Sequence, residues 1–298
     1  MRKAFLQLHM AVFLAGFTGI LGRLITLNEG WLVWYRLLIT VLTLLVLYAI
    51  QKKFEKVKPR DVRGMFGVGA IAALHWISFF ASIKYSNVSV ALVCFSATGF
   101  FTALFEPFIT GRKLLMSELF LGLLVISGIA LIFHFDPQFK KGIIFGVICA
   151  ILAGIFPVYS RLFVQRYTPE TVTLYQLSGG LIFLSAILPL YLHYFPSDHF
   201  IPTWSDFGWL LVLSWLCTVV GFNLGITALK KISAFTANLS YNLEPLYGIA
   251  LAFLVYREDK LLTGTFYIGL MLILVAVGLQ TLLFYRRHKK AAASGVKG

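Results

Sequence analysis

Charge is what this chain has least of. Only 13% of its 298 residues are Asp, Glu, Lys or Arg, against roughly 25% in soluble globular domains. So few charges do not make a water-facing surface, and a soluble enzyme is excluded. Acids are scarcer than bases, 12 against 26, and the formal net charge is +14. That excess would suit nucleic acid, but the bases sit in short breaks between apolar runs rather than on one face. Membrane topology accounts for them better, and no nucleic-acid partner is expected. The three cysteines, Cys94, Cys149 and Cys217, fall in three different apolar runs. An odd number without metal-ligand spacing gives neither a disulfide framework nor a zinc site, which leaves buried packing. Catalytic signatures are also missing: no P-loop glycine pattern ending in Gly-Lys-Ser/Thr, no His-Glu-x-x-His and no nucleophile elbow. Lacking a nucleotide site, the chain is not a primary pump by itself; no cofactor and no catalytic residue is expected.

What the chain has is hydrophobic length. Apolar residues are 59% of it, in runs near the roughly 20 residues that cross a bilayer core of about 30 Å. Ten spans are expected, near residues 5–25, 31–50, 64–84, 87–110, 117–135, 142–161, 171–195, 207–229, 234–256 and 262–284. The first is too long, and lacks a small-residue cleavage site, for a removable signal. With both termini in the cytoplasm, the outer segments hold only Arg23, Lys84, Lys140, Lys141, Arg257 and Lys260. Nearly all other Lys and Arg then fall inside, as the positive-inside rule requires. The loop 196–206, with Asp198 and Asp206 and no Lys or Arg, agrees.

The sequence also repeats itself. Leu14-Ala15-Gly16 with Arg23-Leu24 recurs as Leu152-Ala153-Gly154 with Arg161-Leu162. Tyr35-Arg36-Leu37 matches Tyr175-Gln176-Leu177, and Val88-Ser89-Val90 matches Ile232-Ser233-Ala234. The common order predicts two five-span units, residues 1–136 and 137–285, followed by a basic tail, 286–298. Five is odd, so the second unit enters from the opposite side. Inverted repeats belong to transporters, with the substrate near the midplane where the halves meet.

With ten short-looped spans in two halves, Arg36 early in span two, Leu243-Glu244-Pro245 in span nine, Arg257-Glu258 at its outer end and Gly122 with Gly128 in span five, the chain resembles the drug/metabolite transporter superfamily, specifically EamA-type carriers. The resemblance covers nearly all of residues 5–284. The second half lacks a matching glycine pair, keeping Gly269 and Gly278, and Glu106-Pro107 does not align with Glu244-Pro245. The resemblance implies export of small polar metabolites, often amino acids, across the bacterial inner membrane.

Span nine organises the candidate site. It carries Asn238, Ser240, Tyr241, Asn242 and Glu244 before Pro245, which would free the Tyr241 carbonyl. Glu244 lies about 15 Å into the span, where an acid costs roughly 3 kcal/mol and faces an interior or a cavity. It is expected to act as a proton or gating site, or else as a hydrogen-bonded packing residue. Arg36, about 8 Å deep, either snorkels beside Trp31, Trp34 and Tyr35 or pairs with Glu244 as a latch. His75, Trp76 and Ser78 in span three, Asn223 in span eight, Tyr159 beside Pro157 in span six, and Asn238 with Tyr241 are the cavity candidates, each with interhelical glue as the alternative. Pro157 is a candidate pivot for a gate. Gly142, Gly146, Ala150 and Gly154, and likewise Gly221 and Gly225, are spaced for close helix packing. Glu106 and Glu118, near Arg112 and Lys113, are expected to pair at the surface, and the tail from Arg286 to Lys290 to meet anionic lipid.

The function expected is a secondary carrier that moves a small metabolite, an amino acid or an aromatic compound, out across the bacterial inner membrane by alternating access. The alternative is an integral-membrane enzyme or lipid-handling protein with its site in the same central cavity. A small molecule and membrane lipids are the expected partners; a monomer suffices, and a dimer stays open.

Overall fold

In a computed structural model the chain is helical throughout, with no strand among the described residues. The structure describes residues 2–293 other than Lys53, Arg112, Leu115, Asp198 and Asn242. The expectations at Arg112, Asp198 and Asn242, at the Glu118 side chain and at the side chains of the basic tail lie outside the described residues.

The helices are α1 (Arg2–Leu24), α2 (Glu29–Ile50), α3 (Pro59–Tyr85), α4 (Val88–Phe95), α5 (Thr98–Thr110), α6 (Met116–Phe135), α7 (Lys140–Val164), α8 (Pro169–Tyr194), α9 (Trp204–Val212), α10 (Asn223–Leu229), α11 (Ala234–Tyr241), α12 (Glu244–Tyr256) and α13 (Gly264–Ala293). A π-helical stretch, Leu213–Phe222, joins α9 to α10. Among the described residues seven helical segments are long and apolar enough to cross a membrane: Lys3–Leu24, Glu29–Ile50, Pro59–Tyr85, Val88–Thr110, Pro137–Val164, Pro169–Tyr194 and Trp204–Leu229. Leu119–His134, Glu244–Tyr256 and Gly264–Leu279 are apolar but shorter. The protein is an integral, multi-pass membrane protein.

Starts and stops follow local chemistry. Asn28 caps α2 by accepting from Gly30 N, Asn87 caps α4 by accepting from Val90 N, and Thr203 with Asp206 forms a capping box on α9. Each satisfies amide groups that a helix start leaves without partners. Two expected spans are not continuous helices. The run 87–110 breaks at Ser96–Ala97, between α4 and α5, and the run 234–256 breaks between Tyr241 and Glu244. In the second case Pro245, as the second residue of α12, suits a helix start better than an interior.

Between helices in an apolar solvent there is little hydrophobic drive, so close approach and hydrogen bonds hold the bundle together. Helix α3 is its axis, packed along α7 and α8. At that crossing a Cβ on Gly69 would lie 1.8 Å from the Gln176 carbonyl oxygen and 2.8 Å from Gly180 N, so the backbones touch. Ser82 Oγ donates to Gly142 O at 2.7 Å, and a Cβ on Gly146 would lie 2.5 Å from Cys94 Cβ, so the glycine spacing in α7 does serve packing. Helix α1 packs on the π stretch and α12, and α6 on α13. All three cysteines are buried and free. Glu106, expected at the surface, is buried at 4% exposure: it lies on the inner face of α5, among Thr102 and Ala103.

Candidate functional site

A cavity of about 110 Å³ lies among α1, α2, α3, α4, α7, the π stretch, α10, α11 and α12. Its polar groups are Thr18, Arg36, His75, Asn238, Tyr241 and Glu244; its aromatic wall is Trp76, Phe79, Phe95, Phe156 and Phe222. The breaks in both interrupted spans border it, through Phe95 on one side and Tyr241 with Glu244 on the other.

Arg36 is 2% exposed and turned inward, not toward the headgroups. Its Nε donates to Thr218 Oγ1 at 2.7 Å and its guanidinium carbon lies 4.2 Å from the centre of the Trp76 ring. Thr218 is placed by the π stretch, donating its hydroxyl to Leu213 O five residues back. Among the described residues Arg36 Nη1 is buried without a hydrogen-bond partner. An unpaired N–H on a buried guanidinium costs about 1–3 kcal/mol or more, which a fold retains where something else uses it.

Glu244 is 5% exposed and is the first residue of α12. The positive end of that half-helix stabilises a carboxylate there by about 0.3–1 kcal/mol, more where partly buried. Among the described residues its carboxylate makes no hydrogen bond or ion pair, and it is not paired with Arg36 although both line the cavity. His75 Nδ1 lies 3.1 Å from Cys149 O. The same nitrogen lies 3.2 Å from Cys149 Sγ, and the ring is held between Phe95 and Phe156 at 5.8 and 5.6 Å. Asn238 Nδ2 donates to Thr102 Oγ1 at 2.6 Å, which ties α11 to α5. A Cβ on Gly225 would lie 2.9 Å from the Tyr241 hydroxyl, so the glycine makes room for that ring.

The sequence pattern of the EamA-like transporter family matches this chain twice, over residues 2–134 and 140–282. The chain belongs to the EamA-like transporter family. It falls thereby in the drug/metabolite transporter superfamily, and the family points to a membrane transporter rather than an enzyme. An uncharacterized transporter of Haemophilus influenzae is 23% identical over 239 residues, 75% of this chain and 74% of the relative. A solved crystal structure shares the fold with a TM-score of 0.67 at 18% identity, over 95% of this chain and 98% of the other.

Within this EamA-like transporter, seven of the residues singled out from sequence line the cavity together: Arg36, His75, Trp76, Pro157, Asn238, Tyr241 and Glu244. Three do not. Tyr159 is exposed at 36%, because it points about 200° round α7 from Pro157. Ser78 is buried but sits about 60° outside the arc of α3 that His75, Trp76 and Phe79 present. Asn223 faces α8, where Thr173 Oγ1 donates to its Oδ1 at 3.5 Å. Helix α7 continues through Pro157 to Val164. Gly221 lines the cavity rather than a tight helix contact. Sequence reading missed the phenylalanines of the wall and Thr218, and took Cys217 for packing alone. Phenylalanines toward lipid and toward a cavity look alike in a sequence, and nothing in 213–222 announces a π turn.

Proposed function

We propose that this EamA-like transporter is a secondary carrier that moves a small metabolite, an amino acid or an aromatic compound, out across the bacterial inner membrane by alternating access. The observation that carries the reading is the cavity itself: a buried cation and a buried acid, unpaired with one another, facing a common aromatic-walled space. Paired charges would be structural; unpaired ones suit a ligand that arrives and leaves.

The proposed topology has ten spans, both termini in the cytoplasm and two inverted units, 1–136 and 137–285, with 286–298 as a basic tail against anionic lipid. The two family matches support the division. So do the contacts, which come in corresponding sets: α3 on α7 answers α1 on the π stretch, and α5 on α7 answers α12 on α1. Ala15 and Thr18 line the cavity from α1, and Ala153 and Phe156 line it from α7 at the same repeat spacing. Both interrupted spans end a half-helix near the cavity, a device of carriers that bind solutes at the midplane.

Alternating access requires that one end close while the other opens. In this structure the end away from the Lys230–Lys231 loop is held by polar contacts between the halves: Arg23 with Glu258, Thr26 with Asp206, and Glu29 with Tyr191. The end beside that loop is held as well, by Asp61 with Arg166 and Tyr167 and by Glu55 with Thr168, and the cavity lining runs toward Leu229 and Ala237 there. Under the proposed topology Pro157 lies where α7 would hinge between the two arrangements.

Counterflow in proteoliposomes tests the reading: vesicles loaded with an unlabelled solute should accumulate the labelled one, over a panel of amino acids, nucleobases and sugars with and without a pH gradient. No counterflow with any solute, or ion conductance in a planar bilayer, would sink it.

A further inference from the structure

We propose that Arg36 determines specificity by seating a carboxylate, so that the substrates are ring-bearing carboxylates. The inference rests on the carrier reading and goes one step further, to the chemistry that the cavity selects.

The guanidinium is held on two sides and open on a third. Thr218 Oγ1 takes Nε, and the Trp76 ring lies against the guanidinium face at 4.2 Å. Both contacts fix the plane of the fork, which leaves the Nη groups as the donors still to be used, and Nη1 has no partner. A planar fork with fixed orientation matches a carboxylate better than a point anion, since both oxygens can accept. Lining the same cavity, Glu244 forms no ion pair with the arginine, so among the described residues no carboxylate occupies that seat. Walls of Trp76, Phe79, Phe95 and Phe222 around the seat supply faces for a ring. Thr218 and Trp76 are thus positioning residues. A substrate lacking the carboxylate would leave the buried Nη1 donor without an ionic acceptor, a penalty a purely apolar pocket would not impose.

The test uses purified full-length protein in detergent and reads binding by thermal shift and tryptophan fluorescence. The probes are 3-phenylpropionate, L-phenylalanine and the neutral isostere 3-phenylpropionamide. Wild type should bind both carboxylates roughly ten- to hundredfold more tightly than the amide. Arg36→Gln should bring that ratio close to one, and Arg36→Lys should keep part of it. Thr218→Val, which removes the Nε acceptor together with the hydroxyl's bond to Leu213 O and leaves the Nη groups in place, should lower the ratio while the amide binds as before. It is the second reading if Arg36→Gln does not fold. Equal binding of amide and carboxylate by wild type, no binding of either carboxylate, or an unchanged ratio in the folded variants overturns the proposal. Counterflow of the same probes in vesicles reads transport separately: selective binding without counterflow would overturn the carrier reading and leave the Arg36 seat standing.

Discussion

Arg23, at the end of α1, and Glu258, just past α12, form an ion pair between residues 235 positions apart. Glu258 is fully buried and also accepts from Val88 N at 3.1 Å, Ser89 N at 2.8 Å and Ser89 Oγ at 2.6 Å. One carboxylate therefore neutralises an arginine and caps the start of α4. Arg257, in the left-handed region at φ 54°, turns the chain out of α12 just before this residue. Tyr256 completes the clasp, its hydroxyl donating to Ile20 O at 2.9 Å and its ring 4.3 Å from the Arg23 guanidinium.

Glu258→Ala strands two amide groups, a hydroxyl and a cation together. The expected loss is about 2–4 kcal/mol, toward the lower end because Arg23 is partly solvent-exposed. Thermal unfolding in detergent measures it. Arg23→Gln should cost much less, since Glu258 keeps its α4 partners; equal losses would show that the ion pair and not the cap holds this end.

Glu244→Met should do the opposite to stability. Replacing a buried, unpartnered carboxylate with an apolar side chain of similar size gains about 1–3 kcal/mol. Counterflow should fall at least tenfold in the same variant. A lower thermal midpoint would mean that the acid is structural.

Gly69→Ala tests the axis of the bundle. The new methyl would meet backbone atoms of α8 on both sides, and backbone cannot rotate away as a side chain can. A loss of about 3 kcal/mol or a failure to assemble is expected. Gly67→Ala, two residues away with open space around it, should be neutral in the same assay.

The loop before α3 supplies a pH effect. Glu55 accepts from Thr168 N and Oγ1 at 3.0 Å and from Thr171 Oγ1 at 3.1 Å, and these bonds, the Thr168 amide foremost, hold its carboxyl below the usual 4.5. A depressed folded-state pKa means the contribution is complete above 4.5 and is lost as pH falls through the lower folded value. The thermal midpoint of wild type should therefore decline more steeply below pH 4.5 than that of Glu55→Gln. Parallel curves would refute the assignment.

Much of the site was legible because membrane depth makes polarity expensive. Glu244, Arg36, His75 and Asn238 stand out in apolar runs, and all four line the cavity. Tyr159 misled because Tyr is also at home at a lipid-facing or interfacial position, where nothing penalises it. Glu106 misled in the opposite direction: nearness to a loop in sequence says little about which face of α5 the residue occupies.

Composition and patterning alone determined that this is a helical membrane protein, since only helices and closed barrels satisfy backbone groups in lipid and apolar runs of about 20 residues fit helices rather than barrel strands. They also carried the resemblance to EamA-type carriers. Only tertiary structure decided that Arg36 lies on Trp76 and Thr218 rather than on Glu244, that spans four and nine are broken, and that Glu258 closes one end. Those outcomes depend on helix rotation and on which distant backbone reaches a given side chain, and neither is written in the spacing of residues along one helix.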